Sequence, residues 1–303
     1  MKVLVTGADG FVGRHLSRAL RRAGHEVVEP GPPHVAGGLE LTSRESTLRV
    51  VADAMADAVI HLAAMSSVAE SHKDPGTTFA VNALGTTHLL AAVHASTPKA
   101  RVLYVSSGEV YGRVAGDAPA TESTPLLPLS PYAASKVAAE SVCFQFRRSY
   151  GTDVVCARPY NHLGPGQAPN FVVPSFAGQI AAIQRAESPP VLRTGDLGAV
   201  RDFSHVDDVV AAYTLLIERG VSGETYNVAT GVGRTIQSLL TEMLELTGTV
   251  ARVEVDPARV RPAEIPAMIG DASRLRALGW SPVRTARDAL AEVLQERGAE
   301  LRA

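Results

Sequence analysis

The chain has 303 residues, enough for a large hydrophobic core and for two domains. Its 29 Lys and Arg residues are balanced by 31 Asp and Glu residues, so the net positive charge typical of nucleic-acid-binding proteins is missing. The first apolar run ends at Thr6, too early for a signal peptide or a membrane span, and Cys143 and Cys156 suggest free thiols in a reducing compartment. We therefore expect a cytoplasmic protein that binds neither nucleic acid nor membrane. The nine histidines show no metal-binding spacing, so no metal site is predicted.

The chain begins with the pattern of a dinucleotide-binding turn. A short apolar strand over residues 3–5 leads into Gly7, Gly10 and Gly13, and a helical pattern follows over residues 14–23. Small residues in such a turn let the backbone approach a pyrophosphate, which binds the free N–H groups at the helix N-terminus. The turn therefore predicts a site for NADP or NAD.

Apolar runs alternate with amphipathic helical patterns through the first half of the chain, which predicts a parallel sheet covered by helices on both faces. The predicted strands are residues 3–5, 27–28, 59–62, 102–105 and 154–157. The predicted helices between them are residues 14–23, 45–54, 79–94 and 133–150. After about Pro159 the chain becomes rich in Gly and Pro, with helical patterns over residues 175–185, 206–219 and 236–247.

The expected fold class is therefore α/β, with a doubly wound parallel sheet of the Rossmann type and a smaller C-terminal substrate-binding lobe. We assign the dinucleotide-binding domain to residues 1–160, with about 200–220 returning to it, and the substrate-binding lobe mainly to residues 161–303.

Tyr132 and Lys136 are four residues apart in a predicted helix, which places a phenol and an ammonium on one helical face. Ser130 suits the N-cap of that helix and Pro131 suits its first position. A phenol titrates near ~10, and a neighbouring ammonium should lower the pKa of Tyr132 toward the range useful for acid–base catalysis. Ser107 follows the fourth predicted strand, where it could hydrogen-bond a substrate oxygen beside Tyr132.

Together these segments resemble, in order and over nearly the whole chain, an extended short-chain dehydrogenase/reductase acting on nucleotide sugars. The matching segments are the glycine turn, residues 61–64, 81–86, 106–107, 132–136, 158–161 and 201–203. The resemblance implies that Ser107 and Tyr132 contact the sugar oxygen and that Lys136 also holds the nicotinamide ribose. It implies cofactor contacts at Gly7, Gly10, Phe11, Val12, Gly13, Leu62, Ala63, Ala64, Tyr132 and Lys136. It implies substrate contacts at Ser107, Glu109, Asn161, Val173, Arg201, Arg261 and Glu264.

Further stretches, residues 161–167 and 170–176, and residues 261–264 with 270–274 and 278–280, most resemble reductases that act on GDP-4-keto-6-deoxy-D-mannose. The implied reaction reduces the 4-keto group of that sugar to give GDP-6-deoxy-D-mannose (GDP-D-rhamnose). Tyr132 would donate the proton while Ser107 polarises the ketone. The alternatives are a GDP-mannose 4,6-dehydratase and a nucleotide-sugar 4-epimerase, and both remain open on the sequence.

Glu109 lies two positions after Ser107 and leaves the dehydratase alternative open. In nucleotide-sugar dehydratases, a glutamate at this position removes the proton at carbon 5. Reductases that resemble this chain also carry such a glutamate, so a catalytic and a substrate-binding role are both predicted for it. Phe171 disfavours a third activity, because the related 3,5-epimerases have a proton-transferring histidine there and a phenyl ring cannot transfer a proton.

The choice between NAD and NADP is open on the sequence. An acidic residue at the end of the second strand favours NAD, because it binds the ribose 2′-hydroxyl, whereas a nearby arginine favours NADP. Here the strand runs into Glu29, Pro30 and Gly31. We expect the deciding position at or close to Gly31; Glu29 lies slightly too early, and no arginine follows nearby.

The resemblance also implies a homodimer, in which the helices predicted over residues 79–94 and 133–150 pair with their copies as a four-helix bundle. Val137, Ala138 and Val142 are apolar positions compatible with that interface, and equally with packing against the sheet.

Overall fold

The computed structural model of the protein describes residues 1–114, 118–257, 260 and 265–302. Two predicted substrate contacts, Arg261 and Glu264, lie outside the described residues. The largest sheet contains β1 (Lys2–Thr6), β2 (Glu26–Val28), β3 (Ala58–His61), β4 (Arg101–Val105), β5 (Val154–Pro159) and β9 (Thr225–Val228). These six strands are all parallel, in the order β2-β1-β3-β4-β5-β9.

Helices cover both faces of this sheet. Helices α1 (Phe11–Arg22) and α8 (Val206–Arg219) pack together on one face. The other face carries α2 (Arg44–Ala54), α5 (Gly85–Ser96) and α6 (Pro131–Tyr150), with α5 in contact with both its neighbours. The doubly wound parallel sheet predicted from the sequence is thus confirmed.

Strand β1 illustrates why the sheet needs a helix layer on each side. Val3 and Val5 are buried in the core beneath α1 and α8, whereas Leu4 is buried in the core beneath α2, α5 and α6. Side chains of a strand alternate between the two faces, so a continuous apolar run must be covered twice.

The helix predicted over residues 79–94 is interrupted. The chain forms α4 (Pro75–Phe79), then a wide π-helical turn (Ala80–Leu84), and only then α5. Asn82 lies in the wide turn and is buried. Such turns are frequent at functional sites, and the contacts of Asn82 described below give the reason for this one.

The C-terminal lobe has its own core, enclosed by α7 (Val172–Gln184), α9 (Ile236–Thr247) and α11 (Ala286–Glu296). Its strands are β6 (Asn161–Leu163), β7 (Val191–Thr194), β8 (Val200–His205), β10 (Gly233–Thr235), β11 (Arg252–Val255) and β12 (Ala267–Met268). Strand β8 pairs with β6, β10 and β12, and β7 pairs with β11. The remaining helices are α3 (Val68–Lys73) and α10 (Ser273–Ala277). The domain boundary assigned at residue 160 stays a prediction.

The strand order fixes where a ligand crevice can form. From β1 the chain moves outward to β2 and then returns to β3 on the other side of β1. Such a reversal opens a crevice at the carboxyl ends of the two strands that flank it, here β1 and β3. Within the described ranges, no helix is both long enough and apolar enough to cross a lipid bilayer.

Candidate active site

The glycine turn lies at the crevice between β1 and β3 and has the shape that a pyrophosphate needs. Gly7 has φ +71°, and a Cβ there would lie 2.9 Å from the backbone nitrogen of Ala63. At Gly13 a Cβ would lie 2.2 Å from the carbonyl oxygen of Gly7. Helix α1 begins after Gly10, and no side chain caps it. The backbone N–H groups of its first turn, including those of Phe11 and Val12, can therefore bind a pyrophosphate.

The opposite wall of this crevice is the segment that follows β3. Leu62 donates its backbone N–H to the Thr6 carbonyl oxygen at 3.2 Å, and Ala63 donates to Thr6 Oγ1 at 3.2 Å, which places Ala64 next to them. His61 lies behind the crevice, 2.7 Å from Thr6 Oγ1 through its Nδ1. Burial lowers the pKa of His61 to about 3, assisted by the positive charge of Lys136, so this imidazole is neutral and structural.

Helix α6 brings Tyr132 and Lys136 to the same crevice. Ser130 caps the helix by accepting a hydrogen bond from the Ala133 N–H at 3.1 Å, and Pro131 is the first helical residue, as predicted. Both functional side chains are buried, and Lys136 Nζ donates to the Val105 carbonyl oxygen at 2.8 Å. That hydrogen bond ties the helix to the carboxyl end of β4.

Ser107 and Glu109 are placed beside Tyr132 by the turn that follows β4. Ser107 Oγ accepts a hydrogen bond from the Glu109 N–H at 3.2 Å, which begins a short 3₁₀ turn over Gly108–Tyr111. The structure therefore brings Ser107, Tyr132 and Lys136 together, with Glu109 next to them.

The pKa of Tyr132 is raised, not lowered as the sequence predicted. Burial raises the pKa of Tyr132 to about 12, a hydrogen bond with Ser107 partly offsets this, and the charge of Glu109 adds to the rise. Desolvation disfavours a phenolate inside the protein more strongly than the neighbouring groups favour it. At neutral pH the phenol is therefore protonated and can act as a proton donor.

Lys136 is also affected by its surroundings. Burial lowers its pKa to about 8, and the carboxylate of Glu140 one turn later partly offsets this effect. Glu140 is itself held in a buried ion pair, in which Arg158 donates to its two carboxylate oxygens at 3.0 and 2.6 Å. Arg158 of β5 therefore holds the carboxylate of Glu140 in place on α6.

These pKa values predict an alkaline limit to activity. A lysine with a lowered pKa carries its charge below pH of about 8 and loses it above, while Tyr132 remains protonated. If the ammonium is needed to hold the cofactor and polarise the phenol, turnover should decline as the pH rises through about 8. The measurement is turnover at saturating substrates against pH, at constant ionic strength. A profile that falls only near the pKa of Tyr132 would contradict this assignment.

Asn82 fixes the position of α6 against the crevice. Its Oδ1 accepts from the Met65 N–H at 2.8 Å, and its Nδ2 donates to the Met65 carbonyl oxygen at 3.0 Å and to Ser135 Oγ at 2.9 Å. Ser135 in turn donates to the Tyr132 carbonyl oxygen at 2.7 Å. The π-helical turn therefore places the side-chain amide of Asn82 where it hydrogen-bonds both the segment after β3 and the first turn of α6.

A cleft of about 840 Å³ opens between this site and the C-terminal lobe, and Glu109, Asn161 and Arg201 line it. The side-chain oxygen of Asn161 is buried and has no hydrogen-bond partner among the described atoms. Burial lowers the pKa of Arg201, and the carboxylates of Glu109 and Asp196 partly offset this effect. A buried amide without a partner and a half-buried guanidinium are the groups expected to bind a charged, oxygen-rich ligand.

The structure changes one predicted contact and adds others. The Val173 side chain is fully buried in the core of the C-terminal lobe, and its neighbour Val172 lines the cleft instead. Adjacent helical positions point in different directions. A resemblance over residues 170–176 therefore does not decide whether Val172 or Val173 faces the ligand. Phe171 lies at the cleft with 42% of its surface exposed. Arg193 and His72 also line the cleft, and the sequence did not indicate them because both lie on short elements without a clear pattern.

Comparison with known proteins agrees with this geometry. The family model described as the NAD dependent epimerase/dehydratase family matches residues 3–229, which include the glycine turn, Ser107, Tyr132 and Lys136. The chain belongs to this family. The assignment confirms the enzyme class that the sequence resemblance predicted.

Similar proteins include a reductase and a dehydrogenase named for GDP-sugars. The GDP-6-deoxy-D-mannose reductase of Pseudomonas aeruginosa is 40% identical over 97% of this chain and 96% of its own length. The GDP-6-deoxy-D-talose 4-dehydrogenase of Aggregatibacter actinomycetemcomitans is 32% identical over 91% of this chain and 90% of its own.

Solved structures of family members are similar over almost the whole chain. The structure of RMD from Pseudomonas aeruginosa complexed with NADPH has a TM-score of 0.90 and 37% identity, covering 98% of this chain and 99% of that one. The UDP-glucose 4-epimerase of Thermus thermophilus in complex with NAD has a TM-score of 0.87 and 32% identity, with the same coverage.

Proposed function

We propose that this enzyme reduces the 4-keto group of GDP-4-keto-6-deoxy-D-mannose to give GDP-6-deoxy-D-mannose, with NADPH or NADH as the reductant. The observation that carries the proposal is the 40% identity, over 97% of the chain, to a GDP-6-deoxy-D-mannose reductase. The buried group of Ser107, Tyr132 and Lys136 supports it, because it supplies the proton donor and the polar contacts that ketone reduction requires.

A bound reduced nicotinamide supplies the hydride for such a reaction. The uncapped start of α1 and the close backbone approach at Gly7 and Gly13 fit its pyrophosphate. Lys136 is in place to hydrogen-bond the adjoining ribose with the N–H groups that the Val105 carbonyl does not use.

Residues of the chain would polarise the ketone and protonate its oxygen. Tyr132 gives its proton to the sugar oxygen as negative charge develops there, and the hydroxyl of Ser107 donates a second hydrogen bond to that oxygen. Asn161 and Arg201 would bind the diphosphate, and Glu109 a sugar hydroxyl. The positive charge of Lys136 stabilises the phenolate that forms when the proton leaves.

The experiment that tests the function uses purified protein and two substrates in parallel. With GDP-4-keto-6-deoxy-D-mannose and NADPH or NADH, we expect a loss of reduced-nicotinamide absorbance equal to the GDP-6-deoxy-D-mannose formed. With GDP-mannose alone, we expect no 4-keto-6-deoxy product. Efficient conversion of GDP-mannose without net cofactor consumption would instead identify a dehydratase, and interconversion of 4-epimers would identify an epimerase.

We also propose that the protein is a cytoplasmic homodimer that pairs the outer faces of α5 and α6. Exposed apolar residues near these two helices support the proposal. Val137 and Val142 pack against the sheet cores, whereas Phe79, Leu84 and Phe144 are exposed by 40%, 46% and 61%. Phe79 ends α4, Leu84 ends the π-helical turn that leads into α5, and Phe144 lies on α6. Exposed large apolar side chains are candidates for an interaction surface.

Phe144→Glu should therefore convert a dimer into a monomer, because the substitution places a charge in an apolar interface. Light scattering at working concentration measures the mass of both proteins. Val250→Glu is the matched control, since Val250 is 89% exposed and lies in the C-terminal lobe. A wild-type monomer, or a Phe144→Glu dimer as stable as the control, would refute the proposed interface.

A further inference from the structure

A second cleft, of about 800 Å³, lies beside the glycine turn. Its walls are Asp9 of the glycine turn, the exposed side of α1, and residues 29–32, which follow β2. In a doubly wound sheet the carboxyl end of the strand beside β1 is where the adenosine ribose of a dinucleotide lies. The cleft therefore adjoins the ribose position that differs between NAD and NADP.

The loop after β2 lacks the cation that an NADP site requires. Between residues 26 and 43 the sequence has no lysine or arginine, and His34 is the only basic side chain. Glu29 could bind a 2′-hydroxyl, but Arg21 forms an ion pair with it at 3.0 Å. Burial raises the pKa of Glu29, yet the hydrogen bond and charge of Arg21 outweigh this and lower it overall. Glu29 is thus ionised and already engaged.

Helix α1 supplies the positive charge that the loop lacks. Arg14 and Arg18 are four residues apart, so they lie on one face of the helix, and both line the cleft. Arg14 donates to the carbonyl oxygens of Asp9, at 2.6 Å, and Gly166, at 3.0 Å, which anchors its guanidinium at the turn.

Arg18 is the more available of the two side chains. Its Nε donates to the Arg14 carbonyl oxygen at 3.2 Å, and neither arginine forms an ion pair with a carboxylate among the described residues. Three carboxylates line the cleft, those of Asp9, Glu29 and Glu296; Glu29 is paired with Arg21, and Glu296 accepts from the Gly166 N–H at 2.8 Å. Two neighbouring guanidinium groups without carboxylate partners suit a phosphate dianion.

We propose that Arg18, with Arg14 beside it, binds the 2′-phosphate of NADPH, so that this enzyme selects its cofactor from helix α1 and not from the loop after β2. The inference rests on the proposed function, because it requires that the cofactor is a reduced nicotinamide dinucleotide. It identifies the cofactor as NADPH and assigns a specificity role to two residues that the sequence pattern did not single out.

The test compares Arg18→Ala with Arg22→Ala by titration calorimetry. Arg22 is also exposed on α1 but lies outside the cleft, so the control removes the same charge from the same helix. Arg18→Ala should weaken binding of NADPH and of 2′,5′-ADP by about ten- to a hundredfold, because a hydrogen-bonded charge is lost. Binding of NADH and 5′-AMP should not change, and Arg22→Ala should bind all four ligands as the wild type does.

Two results would overturn the inference: wild-type protein that binds NADH as tightly as NADPH, or an Arg18→Ala variant that retains the wild-type preference for NADPH. Arg18→Lys should keep part of the preference, because it retains the charge without the planar fork of the guanidinium. All these measurements omit the sugar. If the wild type does not reduce the 4-keto sugar, the proposed reaction is refuted. If Arg18→Ala still loses the preference for NADPH, the proposed cofactor site is supported all the same.

Discussion

Replacing Tyr132 with phenylalanine should lower the rate of ketone reduction by about 10²–10⁴-fold, the usual contribution of a positioned general acid. Tyr132 is buried beside Ser107, and its phenol is protonated at neutral pH, so the substitution removes the proton donor while keeping the ring. Binding of the reduced cofactor should remain close to wild type, because Lys136 and the glycine turn are untouched. Turnover is followed by the loss of reduced-nicotinamide absorbance, and binding by cofactor fluorescence.

Tyr150→Phe is the matched control for this change. Tyr150 ends the same helix, is 52% exposed, and loses the same hydroxyl without any contact to the crevice. It should turn over as fast as the wild type. If Tyr132→Phe retained near-wild-type turnover, the role assigned to the phenol would be wrong.

Replacing Glu109 with glutamine should leave substantial reduction of the 4-keto sugar. In a reductase the keto sugar arrives already formed, so no proton has to be removed from carbon 5. The structure places Glu109 in the sugar cleft, where its charge acts on Arg201 and on Tyr132. We therefore expect weaker substrate binding, seen as a higher KM, with a fall in kcat smaller than the roughly 10²-fold that loss of a general base causes.

A dehydratase would respond in the opposite way. Glu109→Gln would then remove the base and abolish conversion of GDP-mannose to the 4-keto-6-deoxy sugar. Isotope incorporation gives an independent measurement, since reduction in deuterated water should place no deuterium at carbon 5 above the background exchange of the keto sugar. Deuterium at carbon 5 that depends on Glu109 would show that the enzyme performs proton abstraction and would favour the dehydratase.

Local sequence patterns determined the dinucleotide-binding part of this protein. The glycine turn, the i and i+4 spacing of Tyr132 and Lys136, and the Ser130 cap depend on residues that are close together in the chain, and the structure has each of them. The alternation of apolar strands with amphipathic helices likewise predicted the parallel sheet. Such features can be predicted from a single segment of the sequence, because their geometry is set by the periodicity of the backbone.

The C-terminal lobe could not be predicted to the same degree. Strand β8 pairs with three other strands, one of them near residue 161 and another near residue 267. Strands of two to six residues carry little periodicity, and their partners are set by contacts between distant parts of the chain. The choice between Val172 and Val173 at the cleft depends on the same long-range packing.

The chemical state of the site was likewise decided by tertiary structure. The spacing of Tyr132 and Lys136 predicted a lowered phenol pKa, but burial raises the pKa because it removes water from the phenolate, and the hydrogen bond with Ser107 offsets this only in part. The arginines of α1 give a second example, since only the folded chain places Arg18 opposite the loop that follows β2. The sequence by itself determined which chemical groups the protein carries and the local backbone that presents them. The tertiary structure decided their solvation and their neighbours, because both depend on residues that are far apart in the chain.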